Sequence, residues 1–111
     1  MNDLASRQCV PCHGGVPKLQ SEEIARLLPQ LQEWQVLNEH HLGKSFKFPN
    51  FRQALAFVNR VGAVAEAEGH HPDIRFGWSY CEIEIHTHAI DGLSESDFIL
   101  AAKIDALTAK D

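Results

Sequence analysis

The sequence NFRQALAFVNRVGAVAEAEG, at residues 50–69, carries the clearest structural pattern in the chain. Its apolar and small residues recur at the 3.6-residue spacing of a helix that buries one face. They are Phe51, Ala54, Leu55, Val58, Val61, Gly62 and Ala65. Asn50 and Gln53 have the spacing of a helix cap, and Gly69 is a typical stop residue. Together these residues predict a helix over residues 51–68.

The residues before this helix predict a shorter helix and then a β-hairpin. Ser21 opens the short helix, and Glu22 and Glu23 suit the positive end of its dipole. A strand begins near Trp34, and a polar turn at residues 38–41 leads into the next strand. In that second strand the side chains alternate between two faces, with Leu42, Phe46 and Phe48 opposite Ser45 and Lys47.

A second β region follows the long helix over residues 74–87. Cys81 alternates there with acidic residues and shares its face with Ile83 and Ile85, so it is expected in the core. Ser94 caps a last helix, whose inward candidates are Phe98, Ala101, Ala102 and Leu107. Helices and strands in this order, without a βαβ rhythm, predict an α+β fold. We expect a four-stranded antiparallel sheet with about three helices packed on one face.

Size and composition limit the classes of protein to consider. The 111 residues fit one domain, which we place at residues 21–111, after an irregular segment at residues 1–20 that is rich in Pro and Gly. The net charge of −5, without a cluster of basic residues, argues against direct binding to nucleic acid. A membrane span needs roughly 20 apolar residues in a row, and none occurs. No signal peptide is visible, so a cytoplasmic location is expected.

The sequence CVPCH at residues 9–13 has the spacing of a c-type haem attachment site. Without an export signal or an axial partner, haem is not expected. A structural zinc ion needs four ligands, and Cys9, Cys12 and His13 supply three at most. We interpret the motif as a loop with two free thiols and predict no bound metal.

Four residues at or beyond the end of the long helix are candidates for proton transfer: Glu66, one turn before that end, and His70, His71 and His88. Histidine titrates near neutral pH, so imidazoles around one pocket suit the removal or addition of water. Each residue also has an ordinary interpretation. The adjacent histidines can cap a helix C-terminus, His88 can lie on a sheet surface, and Glu66 can be an exposed carboxylate.

The spacing of these residues favours a role in catalysis over the ordinary interpretation of each one. The positions in question are Glu66, His70, His71, Pro72, Trp78, His88 and Asp97. This pattern resembles the signature of the pterin-4a-carbinolamine dehydratases, and the resemblance covers residues 17–111. Asp97 alone would be the partner of Ser94 in a capping box, and Trp78 alone would be a packing residue.

The resemblance implies an α+β fold and the removal of water from 4a-hydroxytetrahydropterin, without a metal or an organic cofactor. It implies His70 and His88 as acid and base, His71 as the residue that orients the pterin, and Glu66 as a residue that tunes the histidines. Further contacts to the substrate are implied for Pro72, Trp78, Thr87 and Asp97.

The resemblance also implies partners: a pterin substrate, a homodimer or homotetramer, and a functional link to phenylalanine hydroxylase. Two alternatives remain, a binding module that dimerises with a transcription factor and pterin chemistry in molybdopterin metabolism. Ile74, Ala89 and Asp91 depart from the common family pattern near the site. A second histidine pair, His40-His41, lies in a predicted turn with no carboxylate at matching spacing.

Overall fold

The structure, a computed structural model, describes residues 4–6 and 18–108. The elements are α1 (Ser21–Leu27), β1 (Gln35–Leu37), β2 (His41–Lys47), α2 (Phe51–Glu68), β3 (Asp73–Gly77), β4 (Tyr80–Ile85) and α3 (Glu95–Thr108). Short 3-10 turns lie at Leu4–Ser6, Leu28–Gln30 and His88–Ile90. Most of the predicted irregular segment, with the CVPCH motif, falls outside the described residues, so that boundary stays a prediction.

The four strands form one antiparallel sheet in the order β1-β2-β4-β3, and the predicted α+β fold is confirmed. Leu42 pairs with Ile85 and Phe46 with Cys81, which places these four side chains on one face of the sheet. All four are buried in the core that this face forms with the helices. No helix within the described ranges has both the length and the hydropathy that a membrane span requires.

Both predicted ends of α2 are confirmed. The side-chain oxygen of Asn50 accepts a hydrogen bond of 2.9 Å from the backbone N–H of Gln53. Gly69 ends the helix in the left-handed conformation, with φ 65°. The predicted start of α1 at Ser21 is confirmed. Gln20 is its N-cap, Ser21 is the first helical residue, and the Glu23 carboxylate accepts the backbone N–H of Gln20 at 2.7 Å.

The buried face of α2 is rotated from the predicted one. It comprises Ala54, Phe57, Val61 and Ala65. Phe51 and Leu55, predicted to face inward, are exposed. The ring of Phe57 lies 4.7 Å from Phe46 and 5.1 Å from Phe48, so packing against β2 sets the rotation of the helix. The apolar face of α2 is wider than the part that β2 and the other neighbouring elements cover. Helical periodicity alone therefore cannot show which of its residues are buried.

The helix α3 is buried on nearly every side and includes two buried carboxylates, Asp97 and Asp105. Asp105 accepts hydrogen bonds from Trp34 Nε1 at 3.0 Å and from Lys44 Nζ at 2.9 Å. Lys44 lies opposite Ile83 in the sheet and is therefore on the core face of β2. A buried charge must be paired, and this ion pair meets that requirement.

Cys81 is fully buried, as predicted, and burial raises the pKa of its thiol to about 11. At pH 8 about one thousandth of the thiol is then the reactive thiolate. We expect iodoacetamide to label Cys81 at least 10-fold more slowly in the native protein than in urea. Mass spectrometry of the peptide that contains Cys81 separates it from the other thiols. Equal rates in both states would contradict the burial.

Candidate active site

The C-terminus of α2 places the adjacent histidines. Gly69 turns the chain into the left-handed conformation, and the backbone N–H of His70 donates to the carbonyl oxygen of Ala65 at 3.1 Å. His70 and His71 therefore lie just beyond the last turn of the helix, where β3 is about to begin. The predicted position of the pair past the helix end is confirmed.

Gly69→Ala should lower the free energy of unfolding by about 1 kcal/mol, because an L-residue is strained at positive φ. A Cβ added there would meet nothing within 4 Å, so the cost comes from the backbone and not from a clash. Gly62→Ala is the matched control, since it also meets nothing within 4 Å but lies inside α2. It should raise stability by about 0.5–1 kcal/mol. Urea denaturation measures both; changes of the same sign would contradict this explanation.

His70 is held by a buried carboxylate from the first turn of α3. Its Nε2 lies 2.6 Å from Asp97 Oδ1, and the side chains are 13% and 0% exposed. The other oxygen of Asp97 accepts the hydroxyl of Thr87 and the backbone N–H of Ser94, each at 2.8 Å. Asp97 is thus both the capping partner of Ser94 and the orienting partner of His70. A carboxylate in this position selects the tautomer of an imidazole and fixes the orientation of its ring.

His71 has a carboxylate partner of its own, on the exposed side of the site. Its Nε2 lies 2.6 Å from Oε2 of Glu66, one turn before the end of α2. Both side chains are exposed, so solvent screens the pair and it adds little to stability. Its contribution is to the orientation of the imidazole.

His88 begins the 3-10 turn that follows β4, and its side chain is exposed. Its ring centroid lies 4.1 Å from that of His86. Donor atoms of Asp73, His86 and His88 all lie within 4.8 Å of one another. Asp73, two residues beyond His71, therefore lies beside His88, and Thr87, which precedes His88, is hydrogen-bonded to the carboxylate that holds His70. The segments that carry the three predicted catalytic histidines thus contact one another at one corner of the fold.

The other predicted substrate contacts have different surroundings. Pro72 is half-buried directly after His71. Thr87 and Asp97 are buried with their oxygens in hydrogen bonds, so neither faces an open surface. Trp78 is 67% exposed in the turn between β3 and β4. It lies six residues beyond Pro72, about 20 Å along an extended strand.

The structure adds three residues to this corner that the predicted site did not include. His40 Nε2 lies 2.8 Å from Asp91 Oδ1, and the ring of His40 lies 4.7 Å from that of His86. Burial lowers the pKa of His86, and the neighbouring rings of His88 and His40 lower it further. The sequence signal was the His40-His41 pair, whose carboxylate partner is 51 residues away and therefore invisible to local spacing.

Fold and site together define a small α+β protein with oriented histidines at the junction of its long helix, its sheet and its last helix. The family described as pterin 4 alpha carbinolamine dehydratase matches residues 17–107. A protein of Rubrobacter xylanophilus assigned as a pterin-4-alpha-carbinolamine dehydratase is 61% identical over 107 residues, 96% of this chain and 100% of the relative. One of Alkaliphilus metalliredigens with the same assignment is 54% identical, over 95% and 96% of the two chains.

The chain therefore belongs to the pterin-4-alpha-carbinolamine dehydratase family, which is a family of hydro-lyases. Two solved structures are similar in fold. A transcriptional coactivator/pterin dehydratase from Brucella melitensis has a TM-score of 0.77 and 28% identity, over 82% of this chain and 98% of that one. A pterin dehydratase-like protein described as a RuBisCO assembly factor in the alpha-carboxysome has a TM-score of 0.62 and 30% identity, over 72% and 94%.

Proposed function

We propose that this chain removes water from 4a-hydroxytetrahydropterin to give quinonoid dihydropterin by histidine acid–base catalysis. The observation that carries the proposal is that separate carboxylates hold His70 and His71, on segments that contact the one carrying His88. Proton transfer by positioned imidazoles is what the departure of hydroxide requires, because hydroxide leaves poorly unless it is protonated.

In the proposed reaction the C4a–O bond breaks while electrons from N5 form a C4a–N5 double bond. One imidazole of the pair His70 and His88 gives its proton to the departing hydroxyl, which leaves as water. The other accepts the proton from N5. Since Nε2 of His70 is hydrogen-bonded to Asp97, Nδ1 is the atom of His70 that remains to exchange a proton with the pterin.

The remaining residues have supporting parts in this proposal. His71, oriented by Glu66, hydrogen-bonds the pterin from the exposed side, and Pro72 forms part of the wall. Asp97 and Thr87 are positioning residues, because they are buried behind His70 and reach the substrate only through it. A contact between Trp78 and the pterin stays a prediction, and the distance along β3 gives it no support.

The physiological setting extends the proposal. The dehydration would recycle the pterin used by aromatic amino-acid hydroxylases, in the cytoplasm, with phenylalanine hydroxylase as the functional partner and a self-associated chain as the working form. A phenylalanine hydroxylase gene beside this one would support recycling, and molybdopterin genes would favour the other pterin chemistry.

The direct test is a stopped-flow assay with 4a-hydroxytetrahydropterin as substrate. We expect the full-length chain at micromolar concentration to accelerate dehydration in proportion to enzyme concentration, with a bell-shaped dependence on pH. A rate equal to that of buffer alone would contradict the proposal. It would favour a binding or assembly role, as described for the Brucella melitensis coactivator and for the RuBisCO assembly factor of the alpha-carboxysome.

A further inference from the structure

A second cluster of donor groups lies beside the proposed catalytic residues and takes no part in the dehydration. It consists of His40, in the turn before β2, His86, directly after β4, and Asp91, after the 3-10 turn. The ligand atoms of these three residues lie within 4.8 Å of one another, and His40 and Asp91 already approach to 2.8 Å. Segments far apart in sequence thus direct two imidazoles and one carboxylate at a common point.

We propose that His40, His86 and Asp91 bind one divalent transition-metal ion, with Zn²⁺ as the probe. Zinc takes imidazole nitrogen and carboxylate oxygen at about 2.0–2.2 Å, which places tetrahedral ligands about 3.3 Å apart. Small side-chain rotations close the present spacing, since His40 is 35% and Asp91 83% exposed. The metal replaces the hydrogen bond between His40 and Asp91 and releases the proton. Two imidazoles and a carboxylate leave a fourth position open.

Metal binding at this site should also affect His88 and so inhibit dehydration. This extension rests on the proposed dehydratase function. His86 is shared with a second group of donors, Asp73, His86 and His88, whose ligand atoms also lie within 4.8 Å. The rings of His86 and His88 are in contact, with centroids 4.1 Å apart. Rotation of His86 toward the metal should therefore displace the ring of His88 from its position for proton transfer, so zinc should inhibit dehydration.

Zinc titration of the full-length chain by isothermal calorimetry, in a buffer that does not bind metal, tests the site independently of activity. The background variant carries Cys9→Ser and Cys12→Ser, so that the CVPCH motif cannot contribute. We expect one zinc ion per chain. His40→Gln and Asp91→Asn should each weaken binding by at least about 10-fold, while His71→Gln, which removes a histidine outside the cluster, should not change it. No binding by the background chain, or equal affinity in His40→Gln, would overturn the site.

A dehydration assay at increasing zinc concentration tests the inhibition. Relative to its own metal-free rate, the background chain should lose activity as the site fills, and His40→Gln should need at least about 10-fold more zinc for the same loss. An unchanged rate at full zinc occupancy would overturn the inhibition and leave the metal site standing. A chain that binds zinc but never accelerates dehydration would instead overturn the proposed function.

Discussion

We expect His88→Ala to lower kcat/KM for dehydration by about 10²- to 10⁴-fold at neutral pH, the range that a positioned acid–base group contributes. His88 is exposed and makes its nearest ring contact with His86. Its removal should change the free energy of unfolding by no more than about 0.5 kcal/mol, as at other surface positions. Activity is lost while stability is kept, and stopped-flow kinetics with urea denaturation measure the two effects separately.

The matched control is His41→Gln, which replaces a histidine at the start of β2 that has no part in the proposed reaction. It should keep the rate of the unmodified chain. The pH profile adds a second readout, because His88→Ala should remove one limb of the bell. A rate for His88→Ala equal to that of the unmodified chain would show that His88 is neither acid nor base.

The second large effect is expected at Asp97. Asp97→Ala should lower the free energy of unfolding by about 3–5 kcal/mol, because it leaves the partners of a fully buried carboxylate unpaired. These partners are His70, Thr87 and the backbone of Ser94. Where Asp97→Ala is too unstable to assay, Asp97→Asn preserves the shape and removes the negative charge that orients His70. Its kcat should fall by about 10²-fold or more, with a smaller change in KM.

A loss of activity at Asp97 has to be separated from a loss of stability. Asp105→Asn is the control, since Asp105 is also a buried carboxylate in α3 but pairs with Lys44 and Trp34. It should lower stability, yet leave the pH profile of kcat unchanged. Asp97→Asn should shift that profile because His70 loses its carboxylate. If both variants keep the original profile, Asp97 is a structural residue and does not position His70.

Much of the fold follows from local patterns. The ends of α2 were predicted correctly because Asn50 and Gly69 act on the adjacent backbone, through a cap and a left-handed turn. The alternation along β2 and β4 was confirmed because a strand's side chains point to opposite faces. Local patterns predicted less reliably which side chains are buried where several apolar residues of one helix could face the core. Phe51 and Leu55 have helical spacing, but the aromatic contacts of Phe57 decide which stripe of α2 is buried.

In the candidate site, too, some contacts follow from local sequence and others join distant segments. Glu66 and His71 lie five residues apart across a helix end, so their pairing is a local consequence of sequence. His70 and Asp97 are 27 residues apart, and the signature indicated that both matter without indicating that one holds the other. The sequence showed no carboxylate near the His40-His41 pair and no sign of the ion pair between Lys44 and Asp105. In both cases the carboxylate comes from a segment more than 50 residues away.

By itself, then, the sequence determined the helices, the alternating strands and the spacing of histidines that marks the family, since these depend on local geometry and on residue identity. Only the tertiary structure decided which carboxylate holds each histidine, and that His40, His86 and Asp91 converge beside His88. The physical reason is that α3 and the turn before it are placed by packing against α2 and the sheet. Contacts made by that packing depend on the whole core and cannot be read from any one segment.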